Sequence, residues 1–135
     1  MEPSRLAARR AAPAELRAIE EAVRVCRDGF ETGREDVFNE GDDAFHTAVA
    51  TASHNMFLQI AVREARRLQA QSAIIGLRGS VGGHAAKAVE EHDAIYQAIR
   101  AGDPEAAAHA AAAHIDNTLD DYRRAIQQRL FSSAD

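Results

Sequence analysis

Six histidines carry most of the chemical interest in this sequence: His46, His54, His84, His92, His109 and His114. A neutral imidazole offers a lone pair to a metal ion, and it changes charge near neutral pH. Grouped histidines therefore point to metal binding or proton transfer. To serve an interior site, each must share a helix face with apolar residues. His92 lies on the stripe Val89, Ile95, Tyr96 and Ile99, and His114 stands between Ala107, Ala110 and Ala111 on one side and Thr118 and Tyr122 on the other. His46 follows Phe45 and shares a side with Phe38 and Val49. Asp42 stands four residues earlier, which sets a carboxylate and an imidazole on one helix face, about 5–6 Å apart at Cβ. That pair suits a single cation. His109 shares its face with Glu105, Ala112 and Asp116 and reads as solvated, while His54 falls at a helix end and His84 beside a Gly pair. Asp42, His46, His92 and His114 remain, on three helices that face one interior.

Three explanations compete for these four residues. A single inward histidine is usually a hydrogen-bonded core residue. Four polar groups buried together without partners would cost several kcal/mol, a cost that a shared ion removes. Spacing alone leaves both open, since no short motif such as HExxH is present. An ion with three histidines and one carboxylate could also activate water for hydrolysis. No dedicated base stands out for that chemistry: Glu90, Glu91 and Asp93 flank His92 and are turned away from it by about 100° per residue. A purely structural ion that holds the helices together is the third use. Cys26, beside Val23 and Val25, reads as a small packing residue rather than a nucleophile.

The elements that must position these side chains are all helices. Residues 3 to 10 form the tail of a first helix, and Pro13 opens a second that carries Leu16, Ile19, Val23 and Phe30 and ends near Gly33. A third runs from Glu35 through Val37, Phe38, Phe45, Val49 and Ala50 to Ser53-His54-Asn55, with Gly41 as a weak point inside it. The fourth starts near Asn55, places Phe57, Leu58, Ala61, Val62, Ala65 and Leu68 at helical spacing, and extends to about Leu77. A glycine-rich loop follows at 78–83. The fifth helix ends at Gly102, a residue suited to a left-handed cap, and Asp103-Pro104 starts the sixth, which reaches about Phe131. Short connections make this an all-α, antiparallel bundle of about six helices.

Composition agrees and excludes other classes. The 135 residues are one domain's length, carry a net charge of −5, and are 46% hydrophobic but only 5% aromatic, without Trp. The acidic balance argues against this chain gripping nucleic acid by itself, and Arg9-Arg10 and Arg66-Arg67 are too short to make a basic patch. One Cys excludes an internal disulfide and fits a reducing, cytoplasmic setting. No apolar run is long enough for a membrane span.

Three stretches resemble one family. The run DDAFHTAVATASHNMFL (42–58) is similar to the D-x-x-F-H segment of FadR C-terminal (FCD) domains, the effector-sensing halves of GntR-type bacterial transcription regulators. EEHDAIYQAIRAGDPEAAAHAAAAHI (90–115) resembles that family's E-H-x-x-I … G-D … H stretch, and EPSRLAARRAAPAEL (2–16) its opening. The resemblance implies a single effector-binding and dimerisation domain over 1–135. It also implies a divalent ion (Zn, Ni, Mn or Fe) held by Asp42, His46, His92 and His114, and a small organic carboxylate met by Arg66. Arg63 and Arg67 lie close to that position. A homodimer is expected, with DNA reached only through a winged helix-turn-helix that these 135 residues do not contain. A metal-dependent hydrolase and a metal-stabilised dimerisation module are the alternatives.

Overall fold

The computed structural model describes residues 2–74 and 85–132, and the glycine-rich segment 78–83 lies outside them. Six helices account for nearly all of the described chain: α1 Glu2–Arg10, α2 Pro13–Glu31, α3 Glu35–Ala52, α4 Met56–Ile74, α5 Ala85–Arg100 and α6 Pro104–Ser132. Among the described residues there is no strand, as the helical periodicity requires.

Local chemistry sets the helix ends. Pro13 opens α2, and the Glu15 carboxylate reaches back to accept the Ala12 N–H at 2.8 Å. Asn55 Oδ1 accepts the Leu58 N–H at 3.1 Å and starts α4, and Asp103 Oδ1 accepts the Ala106 N–H at 3.0 Å at the head of α6. Each acceptor satisfies one of the N–H groups that a helix start leaves bare. Gly102 takes the left-handed conformation expected of it, with φ 69°.

α2 packs along α3 and α5, α1 closes over α3, α5 and α6, and α4 leans on α3. The core is built from small and branched residues: Ala7, Ile19, Ala22, Val23, Phe45, Val49, Ala52, Ile95, Tyr96, Ile99, Ala107 and Ala111. So many alanines let the backbones approach closely. Cys26 is fully buried among them, as a packing residue should be.

Two expectations need correction. Gly41 is no weak point of α3. A Cβ placed there would lie 2.5 Å from the Cys26 nitrogen and 2.7 Å from its Cα, and a Cβ at Gly29 would collide with the Phe38 backbone. The two glycines are the contact points where α2 and α3 cross. On α4 the inward face is displaced by one residue from the apolar spacing. Leu58, Val62, Arg66 and Gln69 are half-buried, whereas Phe57 and Leu68 are 81% and 55% exposed. Among the described residues α4 packs chiefly on α3, so part of its apolar surface stays exposed, as does Phe30.

The crossing gives a first prediction. In a free helix Gly→Ala stabilises by about 1 kcal/mol. Gly41→Ala should instead destabilise by about 1–3 kcal/mol, the usual effect of overpacking, because the obstructing atoms are backbone. Urea unfolding decides it, and a stabilised variant would mean that α2 and α3 are not in contact there.

Candidate metal centre

The structure brings together the residues that the helix faces single out. His46 on α3, His92 on α5 and His114 on α6 form a triangle of imidazoles, with ring centroids 5.2, 4.8 and 5.5 Å apart. Their nearest ligand atoms all lie within 4.8 Å of one another. Asp42 joins them from the turn before His46: its Oδ1 is 3.5 Å from His46 Nε2 and 3.2 Å from His92 Nε2. The other oxygen, Oδ2, takes the guanidinium of Arg66, which extends from α4 and also bonds Asp43 through Nε at 2.8 Å. Among the remaining histidines, His109 is exposed, and so is His54, which pairs with Glu15 at 2.8 Å. His84 lies outside the described residues.

The neighbours of the rings decide which nitrogens face the centre. His92 stacks on Phe45 with centroids 4.3 Å apart, and its Nδ1 lies 3.8 Å from Cys26 Sγ. Burial, with the charge of Asp42, pushes the Cys26 thiol up to about 12, so it stays protonated. His92 Nε2 points the other way, into the triangle. It is fully buried and makes no hydrogen bond, although Asp42 Oδ1 lies 3.2 Å away. An orphaned buried polar atom of this kind is rare and calls for an explanation.

His114 is held differently. Its Nδ1 lies 3.0 Å from Glu91 Oε1, and Glu91 Oε2 in turn accepts from Asn117 Nδ2. A carboxylate can only accept, so Nδ1 carries the proton and Nε2 keeps its lone pair for the interior. Glu91 neighbours His92 in sequence, and helix geometry turns it away from that ring. It does point away, toward α6, and there it meets the other histidine. The spacing His114/Asn117 on α6 was the available signal, readable only once α5 and α6 are known to be neighbours.

Do these side chains fit an ion? Bonds of about 2.1 Å put donors about 3.4 Å apart in a tetrahedral set and at most about 4.2 Å apart in an octahedral one, so ring rotations that close the present 4.8 Å spread by roughly an ångström bring the three imidazoles onto one ion. Three imidazoles with one carboxylate oxygen are a donor set for Zn²⁺, Ni²⁺, Mn²⁺ or Fe²⁺. A carboxylate and asparagine behind one of the ligands is the outer arrangement that such sites use. The residues fit.

Burial sets the charges. It lowers the pKa of His46 and His92, against an upward pull from Asp42, and it lowers His114, where the charge of His92 adds to the effect and Glu91 opposes it. Burial would raise Asp42, but His46, His92 and Arg66 together outweigh it and hold the carboxyl well below the ordinary range. The centre therefore presents neutral imidazoles and an ionised carboxylate, the protonation states that bind cations.

A cavity of about 680 Å³ opens beside the triangle, lined by Asp42, His46, His114 and Arg66 at one end. The profile of the FCD domain matches residues 2–117, and the chain belongs to that family, the ligand-sensing C-terminal domain of GntR-type regulators. A search of curated proteins found no match. Among the described residues no helix is long and apolar enough to cross a membrane.

The buried histidines fix the sign of a pH effect. In the unfolded chain they take up protons as pH falls below about 6.5, while the folded chain resists until lower pH. The unfolded state then binds more protons, so the stability of the metal-free chain should fall as pH drops from 7.5 through 6.5 to 5.5. Urea unfolding in a chelator at those three values checks it. Flat or rising stability would mean that the three rings are not buried together.

Proposed function

We propose that residues 1–135 form one effector-binding and dimerisation domain that holds a divalent ion and a small organic carboxylate in the bundle interior. By doing so it controls DNA binding by an attached winged helix-turn-helix in a cytoplasmic regulator. The observation that carries this reading is the buried Nε2 of His92, which makes no hydrogen bond and faces two further imidazoles and Asp42 Oδ1. Asp42, His46, His92 and His114 are the ligands. A bound ion supplies a positive centre with two further positions, in an octahedral arrangement, where a carboxylate can be held.

Arg66 gives the second anchor. Its guanidinium can meet a carboxylate through two parallel bonds, and it already sits between Asp42 and Asp43. An entering carboxylate competes with Asp43 for that guanidinium, so ligand binding is felt directly by α4. The effect on the dimer, and through it on DNA, can be no larger than the ligand's differential affinity for the two arrangements. The exposed Met56 and Phe57 of α4 are consistent with a partner subunit there. A hydrolase is the weaker reading. Glu91 is committed to His114 and Asn117, and Asp43 to Arg66, so neither stands ready as a base.

Titration calorimetry of the chelator-treated chain tests the proposal. One Zn²⁺ or Ni²⁺ should bind per chain, and His92→Ala with His114→Ala should abolish it. Arg66→Lys keeps the charge but not the fork. It should weaken acetate binding to the loaded chain at least tenfold while the ion still binds one per chain. No ion binding by the unaltered chain would overturn the proposal. Separately, sedimentation should give a dimer that Phe57→Glu converts to monomer; an unaltered dimer would place the contact elsewhere.

A further inference from the structure

The cavity is far larger than its polar end. A carboxylate fills about the space of two water molecules, roughly 60 Å³, against a cavity of about 680 Å³. Beyond Asp42, His46, His114 and Arg66 the walls are Phe30, Phe38, Val62, Ile115, Leu119 and Tyr122, from four helices. Phe30, Ile115 and Leu119 are 44%, 39% and 46% exposed, a large apolar surface left uncovered within one concavity. Among the described lining residues Arg66 is the sole cation, and it is accompanied by two acids, Asp42 and Glu35. A second carboxylate too far along the ligand to share the ion or Arg66 would lie among apolar side chains or near Glu35, desolvated and without an opposite charge. Asn39, Gln69 and Thr118 offer neutral polar groups, enough for a hydroxyl or a carbonyl but not for another charge.

We infer that the ligand is a monocarboxylate with an extended apolar body: its head at the histidine end beside Arg66, its tail along Phe30, Phe38, Ile115 and Leu119. This rests on the carboxylate-sensor reading and narrows it to a chemical class. Covering apolar wall is worth about fourfold in affinity for each methylene buried, so chain length is the variable to read.

The test is calorimetry on the Zn²⁺-loaded chain with acetate, hexanoate, octanoate, succinate and malate. Octanoate should bind at least tenfold more tightly than acetate and more tightly than either diacid, with hexanoate between. Leu119→Asn together with Phe30→Asn, both at exposed positions, should remove the advantage of octanoate over acetate and leave acetate itself unchanged. Succinate or malate outbinding octanoate would overturn this inference and leave the sensor intact. An octanoate advantage that survives the double variant would also overturn it, by placing the tail elsewhere. If none of the five acids binds, the sensor reading itself falls, and this inference with it.

Discussion

Asp42 divides its two oxygens between three helices. Oδ1 lies against Nε2 of His46 and of His92, and Oδ2 takes the guanidinium of Arg66. The polar groups of the candidate metal centre are arranged about that one carboxylate. It is ionised although buried, because imidazoles and a guanidinium surround it. The imidazoles are neutral although a carboxylate is near, because burial outweighs its pull. Buried polar groups without full satisfaction are destabilising in a small domain, and this domain has a core made largely of alanine and medium-sized aliphatic residues. Retaining such a cluster makes physical sense if something else satisfies it.

The scaffold explains why the cluster stays together. Gly29 and Gly41 bring α2 and α3 into backbone contact, which seats Cys26 and Phe45 behind His92. Glu91 and Asn117 bridge α5 and α6 and orient His114. α4 is joined differently: it packs on α3 alone of the larger neighbours, and its inward cation is Arg66. Among the described residues the more closely packed helices carry the imidazoles, and the more lightly packed α4 carries Arg66. Elements with few packed neighbours are the ones that move most readily.

Much of this was legible from residue order. Pro13, Gly102 and Asp103-Pro104 mark helix ends through their own backbone chemistry, and no tertiary contact was needed to read them. Sorting histidines by helix face separated His46, His92 and His114 from His54 and His109, since a period of 3.6 residues already fixes direction. What could not be read depends on neighbours. Gly41 registers in sequence only as a poor helix former, and its value appears when α2 lies across it. Glu91 gains its partner from the antiparallel seating of α5 on α6. The apolar residues of α4 suggested a face one residue away from the observed one, because that helix borders a cavity and solvent instead of a continuous core.

The most direct test of the central claim is anomalous diffraction from crystals of the chain loaded with Zn²⁺, recorded at the zinc edge. A single peak is expected within about 2.0–2.2 Å of a nitrogen from each of His46, His92 and His114 and of Asp42 Oδ1. A peak at surface residues such as His54 or His109, with the imidazole triangle unchanged and without zinc, would contradict it.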